Sequence, residues 1–375
     1  MSYFRSLMSL ADGVAYFDNA AVAPLTTAAK QAILNWTEEN ASRGDAHWPQ
    51  WRTQVEKTRK LAASLLNASR EEVAFTHSTT EGINFVAEGF PWKEGDNVVI
   101  PTGEFPTNLF PWKMLARLGV ELRQVPMPSN EVDLEKLASA CDARTRLISC
   151  SWVGYSHGYR VDLNELCQVA HNAGAYLMLD AIQGLGVFPI DVQQTPIDFL
   201  SADGHKWMLG PEGAGLFYLR KEHLDLLRPM SVGWNSVATA GDFNSPCMDL
   251  RKAASRYEGG TYNMVGLMGM GASLQVMLDY GIEAINQDLR AVHQEIISRL
   301  QAQGAIIHSN ASAEHWSGII SFDIPGKDPL SVKQAAAKQD IYFNTRNDHF
   351  RLSPHAYTTT EDIDRLMESL FAENV

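Results

Sequence analysis

Between residues 70 and 220, short apolar runs alternate with segments of helical periodicity. The apolar runs have the length and composition of buried strands: EVAFT (72–76), NVVIP (97–101), RLISCSWV (146–153), YLMLD (176–180) and GLFYLR (215–220). Between them, segments such as LNELCQVAHNAG (163–174) repeat apolar residues at helical spacing. Strands that alternate with helices predict a mostly parallel sheet with helices on both faces. The pattern therefore predicts an α/β fold, in which ligands collect at the carboxyl ends of the strands.

The pattern changes near residues 235–255, where the chain becomes polar and irregular. A long helical segment follows, and then a smaller α+β unit with strands in GIISFDI, DIYFN and HFRLS. Thr358 and Glu361 stand at the spacing of a capping box that would begin the last helix. Because no flexible linker separates the parts, we expect an N-terminal segment (1–15), a large domain (16–245) and a C-terminal small domain (246–375) that pack together.

Composition and charge narrow the classes of function. The chain has 375 residues, of which 45% are hydrophobic and 20% charged, as in an ordinary globular protein. Its net charge of −13 argues against nucleic acid or an anionic membrane as a partner. The apolar stretch 264–278 is too short to span a bilayer, so we expect a buried helix there.

The cysteines and the N-terminus provide evidence on metal binding and on the cellular compartment of the protein. The four cysteines form no CxxC pair and no metal-like grouping with histidine, which predicts no metal site. The N-terminal stretch MSYFRSLMSLADG is too short and polar for a secretory signal. We therefore expect a cytoplasmic protein.

Two predicted strand ends carry groups of opposite charge. Lys206 lies in the glycine-rich turn SADGHKWMLGPEGAG (201–215), just after a strand-like segment. A lysine amine held in a partly dry site has a lowered pKa and can form a Schiff base with a carbonyl. Asp180 ends the strand YLMLD. Such a carboxylate is commonly a turn former or helix cap, and a functional role would require a cationic partner such as a protonated ring nitrogen.

Two further strand ends offer an anion site and an aromatic face. Ser78, Thr79 and Thr80 precede a helix, where hydroxyls and free backbone N–H groups suit a phosphate, although simple N-capping by Ser78 or Thr79 explains them as well. Phe105, in EFPTNLFPW (104–112), offers a plane for a flat ring. A Schiff-base lysine, a carboxylate for a pyridinium nitrogen, a phosphate cradle and a stacking ring together match the needs of pyridoxal 5′-phosphate.

Four motifs carry a resemblance to a known family: STTEGIN (78–84), DAIQG (180–184), DGHKWMLGPEG (203–213) and EGGTYN (258–263). With them the chain resembles the class V aminotransferase group of fold-type I pyridoxal-phosphate enzymes. This group includes cysteine desulfurases, cystine lyases, kynureninases and isopenicillin N epimerase. The resemblance runs from YFDNAAVAP (16–24) to RLSPHAYTTTEDIDRL (351–366). It implies a large domain with a mostly parallel sheet, a smaller α+β C-terminal domain, and Lys206 as the Schiff-base lysine.

The resemblance also implies further contacts with the cofactor. Gln183 would hydrogen-bond the ring hydroxyl oxygen, with Tyr155 nearby. His205, otherwise an ordinary turn histidine, would bind the phosphate or position the lysine. Thr261 would reach the phosphate bound by a neighbouring subunit, which implies a homodimer. Asp203 stands where a phosphate-binding serine or threonine is common, and because its carboxylate would repel a phosphate we expect it to turn toward His205.

Substrate contacts follow from the same resemblance. Arg351 matches the arginine that clamps the substrate α-carboxylate, a task suited to the guanidinium fork, and Arg346 is a second candidate. Asn19 and His47 belong to N-terminal stretches that line the mouth of the site in this group. A surface turn explains His47 almost as well.

The type of reaction remains open between several branches. The desulfurases of the group carry a nucleophilic cysteine on the loop before the last strand, but here that loop reads NTRNDHF (344–350) and no cysteine follows Cys247. We therefore expect an aminotransferase or a β-eliminating C–S lyase acting on a small α-amino acid. A desulfurase-like or epimerase activity is one alternative, and a non-catalytic pyridoxal-phosphate-binding protein is another.

Overall fold

The computed structural model describes residues 3–372. Within this range the α-helices are α1 (Tyr3–Ser6), α2 (Thr27–Arg43), α3 (Trp48–Leu66), α4 (Thr79–Gly89), α5 (Phe110–Met114), α6 (Leu134–Ala140), α7 (Leu163–Asn172), α8 (Met264–Tyr280), α9 (Ile282–Ala302), α10 (Pro329–Ala337) and α11 (Thr360–Phe371). The strands are β1 (Ala15–Tyr16), β2 (Val73–Thr76), β3 (Asn97–Pro101), β4 (Glu121–Val125), β5 (Thr145–Ser151), β6 (Tyr176–Asp180), β7 (Phe199–Asp203), β8 (Gly215–Leu219), β9 (Ile306–Ile307), β10 (Ile320–Asp323), β11 (Ile341–Tyr342), β12 (Asn344–Arg346) and β13 (His349–Leu352).

The large sheet has the order β2-β8-β7-β6-β5-β3-β4. Strands β3 to β7 pair in parallel, while β8 runs antiparallel to both of its neighbours. The predicted α/β fold with a mostly parallel sheet is confirmed. Each of the five predicted runs is a strand within two residues of its expected ends. The edge strand β4 was missed, because its largely exposed polar residues form no apolar run.

Helices cover both faces of this sheet. Ile83 of α4 packs with Val98 of β3 in one apolar cluster. Leu166 of α7 belongs to a second cluster that contains Val99 of the same strand. Val98 and Val99 thus pack on opposite faces of the sheet, because successive side chains of a strand point in opposite directions. Burial on both faces explains the continuous apolar runs of the sequence.

The apolar stretch near residue 270 is a buried helix, as predicted. Helix α8 packs against α2 and α3. Its glycines permit the close approach: a Cβ at Gly269 would lie 2.9 Å from Ile33 Cδ1, and one at Gly271 would lie 2.1 Å from Thr58 Oγ1. Within residues 3–372, no helix is long and apolar enough to cross a membrane.

The C-terminal part of the chain is organised around an antiparallel sheet of order β12-β13-β10-β9. Phe322 of β10 pairs with Phe350 of β13, and the two rings stack at 5.0 Å within an apolar cluster that also includes residues of α9, α10 and α11. Strand β1 pairs in parallel with β11, so the N-terminal segment is hydrogen-bonded to the C-terminal part. The domain boundaries near residues 15 and 245 stay a prediction.

The predicted capping box of the last helix was wrong by one residue. The N-cap of α11 is Thr359, whose hydroxyl accepts a hydrogen bond from the Asp362 backbone N–H at 3.2 Å while the Asp362 carboxylate accepts one from the Thr359 N–H. Thr358 instead accepts a hydrogen bond from the His355 backbone N–H at 3.0 Å. Both threonines have an acidic residue three positions later, so spacing alone could not choose between them.

Candidate active site

A cavity of about 340 Å³ opens at the carboxyl ends of the strands of the large sheet. Its walls come from the segments that follow β2, β3, β5, β6 and β7, together with residues 20–22 and two arginines of the small domain. Most of the predicted site residues line it: Ser78, Thr79, Thr80, Phe105, Tyr155, Asp180, Gln183, His205, Lys206, Arg346 and Arg351. Residues spread over more than 270 positions of sequence therefore meet at one edge of the sheet, where parallel strands bring ligand-binding groups together.

Asp180 is the last residue of β6 and is buried. Its Oδ1 accepts a hydrogen bond from the Ile182 backbone N–H at 3.1 Å. Burial raises the pKa of Asp180 to about 6, against the effects of that hydrogen bond and of the nearby Lys206 charge. A carboxylate in this position gains from any cation placed opposite it in the cavity.

Lys206 lies in the turn between β7 and β8. A Cβ at Gly204 would lie 2.6 Å from the Ala214 carbonyl oxygen, so the tight turn requires glycine there. The neighbouring Trp207 is fully buried, and its Nε1 donates to Gln183 Oε1 at 2.8 Å, which anchors the turn. Burial lowers the pKa of Lys206 to about 8, while Asp180 acts in the opposite direction. At neutral pH the amine is still mostly protonated, but a larger fraction of it is neutral and nucleophilic than for an ordinary lysine.

The hydroxyl groups at the start of α4 serve the fold as well as the cavity. Ser78 is the N-cap, and its Oγ accepts a hydrogen bond from the Glu81 backbone N–H at 3.2 Å. Thr79 Oγ1 accepts from the Asp203 N–H at 2.9 Å, and Thr80 Oγ1 lies 2.9 Å from Thr107 Oγ1. Ser78 therefore caps the helix as the simpler interpretation predicts. Helix α4 is eleven residues long, and the free backbone N–H groups at its start face the cavity.

Asp203 and His205 face each other across the Lys206 turn. Asp203 Oδ2 lies 3.0 Å from His205 Nδ1, an ion-pair distance without the alignment of a hydrogen bond. Asp203 Oδ1 accepts from the Gly204 backbone N–H at 2.7 Å. The expected turn of Asp203 toward His205 is thus present in the structure.

Phe105 and Tyr155 form the aromatic wall of the cavity. Their ring centroids are 5.2 Å apart with an interplanar angle of 71°. Phe105 is 43% exposed, and Lys206 Nζ lies 5.9 Å from the centroid of its ring. An exposed aromatic face next to the reactive amine can cover a flat ring bound there.

Arg351 extends from β13 into the cavity and is only 1% exposed. Its Nη2 donates to Asp18 Oδ1 at 3.0 Å and its Nη1 donates to the Tyr155 carbonyl oxygen at 2.9 Å, while its buried Nε has no hydrogen-bond partner among the described residues. Asn344 Nδ2 donates to the other Asp18 oxygen at 2.9 Å. Burial raises the pKa of Asp18, and the charge of Arg351 opposes that rise. Asp18, which was not predicted, therefore holds the Arg351 guanidinium in place at the wall of the cavity.

Three predicted residues lie elsewhere. Asn19 is buried, donates to the Ser353 carbonyl oxygen at 2.7 Å and accepts from the Tyr357 hydroxyl at 2.7 Å, so it ties the N-terminal segment to the small domain. His47 caps α3 and lies 3.4 Å from Glu39, away from the cavity wall. Thr261 lines a separate cavity of about 250 Å³.

Glu104 is a partly buried acid that the sequence analysis missed, and it lines a smaller cavity that shares Ser151 and Tyr155 with the first. Its two oxygens accept hydrogen bonds from the Ser151 backbone N–H, at 2.7 Å, and from the Ser151 hydroxyl. Burial raises the pKa of Glu104 to about 7, and the nearby Asp180 charge acts in the same direction. The only signal in the sequence was its place after β3, beside Phe105.

Comparison with known proteins gives the family. A family model described as Aminotransferase class-V matches residues 15–366. The chain belongs to the class V aminotransferase family. The members of this family are pyridoxal-phosphate-dependent enzymes, so the predicted enzyme class and cofactor are confirmed.

Several relatives are similar over nearly their whole length. A probable cysteine desulfurase of Methanothermobacter thermautotrophicus is 29% identical over 388 residues, covering 98% of this chain and 96% of that protein. A cysteine desulfurase of Escherichia coli strain SE11 is 32% identical over 336 residues, covering 84% and 81%. Among solved structures, the cysteine desulfurase CsdA of Escherichia coli superposes with a TM-score of 0.87 at 26% identity, covering 98% and 96%. The cystine C–S lyase C-DES, in complex with its product cysteine persulfide, superposes with a TM-score of 0.89 at 24% identity, covering 96% and 97%.

The residues of this class V cavity fit pyridoxal phosphate. Pyridoxal phosphate, when bound, supplies an aldehyde that condenses with amines and a ring that withdraws electrons from an amino acid's α-carbon. The donor set matches each part of it: an amine of lowered pKa at Lys206, a buried carboxylate at Asp180, and the N-terminus of α4 at Thr79. Within the described chain, no side-chain hydrogen bond or ion pair engages Lys206, which leaves its amine available.

Proposed function

We propose that this class V enzyme is a C–S lyase that acts on a small sulfur-containing amino acid such as cysteine or cystine. The observation that carries the proposal is a cavity that contains a lysine amine of lowered pKa and, among its described lining residues, no cysteine. The names of the relatives support the substrate class, since they include cysteine desulfurases and a cystine C–S lyase.

Lys206 and Asp180 divide the acid–base work. The amine of Lys206 takes the α-proton of the substrate and later returns a proton, because its pKa of about 8 lies near the working pH. Asp180 would keep the ring nitrogen of a bound cofactor protonated, and that cation would in turn keep Asp180 charged in spite of its burial.

Arg351 and Arg346 bind the substrate α-carboxylate in this proposal. Arg351 presents a buried Nε without a partner among the described residues, while Asp18 and the Tyr155 carbonyl hold its other nitrogens. Arg346 lines the same cavity, and its Nη1 donates to the Thr345 carbonyl oxygen at 2.8 Å. A carboxylate between two guanidinium groups is bound in a fixed orientation, which directs the α-proton to one side.

The thiols of the chain favour elimination over persulfide chemistry. Cys150 is fully buried, and burial raises the pKa of its thiol well above the usual value. Cys247 is exposed on the irregular segment before residue 254 and does not line the cavity. Sulfur that leaves the β-carbon is therefore released into solution and is not transferred to a thiol of the protein. Cysteine and water then give pyruvate, ammonia and hydrogen sulfide.

The test is product analysis of the holoenzyme with cysteine, cystine and a panel of other amino acids. We expect pyruvate and ammonia in equal amounts, with sulfide from cysteine or a persulfide from cystine. A keto acid formed while the cofactor is left in its amine form would make the protein an aminotransferase. Alanine formation that requires Cys247 would make it a desulfurase, and racemised substrate an epimerase. A cofactor spectrum that no amino acid changes would indicate a binding protein without turnover.

We propose further that the enzyme is a cytoplasmic homodimer. Thr261 lines a cavity distinct from that of Lys206 in the same chain, so a role at a phosphate requires a second chain. The cysteines of the chain are all free, as in proteins of a reducing compartment. Sedimentation of the holoenzyme tests the dimer. A second test is the affinity for the cofactor in a mixture of Thr261→Val chains and intact chains. Cell fractionation tests the location.

A further inference from the structure

Two histidines and an aspartate meet on the small domain, outside the cavity. His308 Nε2 lies 2.8 Å from Asp323 Oδ2, and His349 Nδ1 lies 2.8 Å from Asp323 Oδ1. The two imidazole rings are 4.4 Å apart, centroid to centroid. Within residues 3–372, this is the one group of three or more histidine, cysteine or acidic side chains whose ligand atoms all lie within 4.8 Å of one another.

The sheet fixes the positions of these three side chains. His349 begins β13, Asp323 ends β10 beside it, and His308 directly follows β9 on the other side of β10. Phe322 and Phe350 point into the apolar core, so Asp323 and His349, their neighbours in the two strands, point to the opposite face. On one face of a sheet, the Cβ atoms of paired residues in adjacent strands are about 5 Å apart. Strands position side chains more precisely than loops do.

We infer that His308, Asp323 and His349 form a binding site for a divalent transition-metal ion of the zinc class. Two imidazole nitrogens and one carboxylate oxygen are the ligands that Zn²⁺ accepts, whereas Mg²⁺ and Ca²⁺ require a shell of oxygens. Ligands of a tetrahedral ion at about 2.1 Å are about 3.4 Å apart. The present N–O separations of 2.8 Å need to open only slightly, and the side chains are partly exposed, so solvent can fill the fourth position.

The site adjoins the loop that carries Tyr155. Ser309 Oγ donates to the His157 carbonyl oxygen at 2.7 Å, and the His157 ring lies 5.9 Å from that of His349. Arg351 is two residues after His349 on the same strand and the same face. A bound ion would therefore brace β9, β10 and β13 next to the strand that supplies the substrate arginine.

A second cluster of the same composition provides a matched control. His171 Nε2 and His223 Nε2 lie 2.9 Å and 2.7 Å from the two oxygens of Asp198. Asp198 also accepts the Leu177 backbone N–H at 2.9 Å and is buried in the large domain. Hydrogen bonds satisfy the side chains of this cluster, and its ligand atoms do not all lie within 4.8 Å of one another.

The experiment is calorimetric titration of tag-free, chelator-treated holoenzyme with ZnCl₂, in a Cys247→Ser background that removes the exposed thiol. We expect one Zn²⁺ per chain and a higher thermal midpoint with the ion than without it. His349→Gln and His308→Gln should each weaken binding about tenfold or more and abolish the thermal shift, because each removes one of three protein ligands. His171→Gln should bind Zn²⁺ as the background does.

Two results would overturn the inference. One is the absence of saturable Zn²⁺ binding in the background protein. The other is unchanged affinity in His308→Gln, which would mean that any bound ion lies elsewhere. His308 is the more exposed of the two histidines and lies outside the strands, so this variant decides the matter if His349→Gln fails to fold.

Discussion

Two pairs of oppositely charged residues, Arg59–Glu258 and Lys206–Asp180, differ in how completely hydrogen bonds satisfy their charges. Arg59 Nη2 donates to Glu258 Oε2 at 2.9 Å, with a second contact through Nη1, and Glu258 also accepts the Phe75 N–H at 2.7 Å and the Tyr262 hydroxyl at 2.9 Å. The pKa of Arg59 is raised, because Glu258 outweighs the effect of burial.

Lys206 and Asp180 present the opposite case. The pKa of Lys206 is lowered to about 8 and that of Asp180 is raised to about 6, so burial favours the neutral form of both groups. A buried charge that is fully hydrogen-bonded belongs to the scaffold, whereas buried charges that face a cavity without partners are available for chemistry. The comparison predicts that substitutions in the two pairs will have separable effects on stability and activity.

The largest effect is expected for Lys206→Ala. Loss of the amine that binds the cofactor and moves the α-proton should reduce turnover by about 10³-fold or more. Activity within tenfold of wild type would show that another group does this work. The same variant should leave the cofactor-free protein at least as stable as wild type, since it removes a poorly solvated cation.

Asp180→Asn should lower kcat by about 10²- to 10³-fold, because an amide cannot keep the ring nitrogen protonated. The amide oxygen can still accept the Ile182 N–H, so folding should be preserved. Steady-state kinetics measure the effect, and an unchanged kcat would remove Asp180 from the mechanism.

Glu258→Gln should act on stability instead. Breaking the pair leaves the buried Arg59 with only the more exposed Glu56 and the Val73 carbonyl oxygen as partners, at a cost of up to about 3 kcal/mol in the free energy of unfolding. Denaturant titration measures this loss, while kcat per folded molecule should stay near that of wild type. A fall in kcat at unchanged stability would reverse the roles assigned to the two pairs.

Asp18→Ala should raise KM about tenfold with a smaller change in kcat, because Arg351 loses the partner that fixes it before substrate binds. Competition by simple carboxylate inhibitors should weaken in parallel. An unchanged KM would mean that the contact is only structural.

The smallest effect on rate is expected from pH and can be followed in the cofactor-free protein. Neutral amine forms above the pKa of Lys206, so the rate of cofactor capture should rise up to about pH 8 and then level off. Asp180 raises the pKa of Lys206, and Asp180→Asn should therefore shift this midpoint to lower pH. In the unfolded chain Lys206 keeps its proton to a higher pH than in the folded protein. The cofactor-free protein should therefore gain stability as the pH rises above about 8, and Lys206→Ala should lack that gain. A flat capture profile would contradict the lowered pKa.

The sequence predicted the parts of the site that follow apolar strands. Asp180, Thr79 and Lys206 each come directly after such a run, and the carboxyl ends of parallel strands meet at one edge. The roles given to these residues stay predictions, but their convergence on one cavity is a property of the fold.

The residues that sequence reasoning missed depend on tertiary partners. Glu104 accepts its hydrogen bonds from Ser151 of β5, which is 47 residues away, and Asp18 gains its role from Arg351, which is 333 residues away. Asn19 shares a segment with the cavity-lining residues 20–22, yet its side chain turns toward Ser353 and Tyr357. The His308–Asp323–His349 group has no sequence spacing typical of metal ligands, because its residues come from β10, β13 and the position after β9.

Lys206 is the residue that we expect to hold the cofactor. Reduction of the holoenzyme with borohydride, followed by proteolysis and mass spectrometry, locates the lysine to which the cofactor was joined. We expect a single pyridoxyl group on the peptide that contains Lys206, and none in Lys206→Ala. A pyridoxyl group on another lysine, or no stable label in wild type, would contradict it.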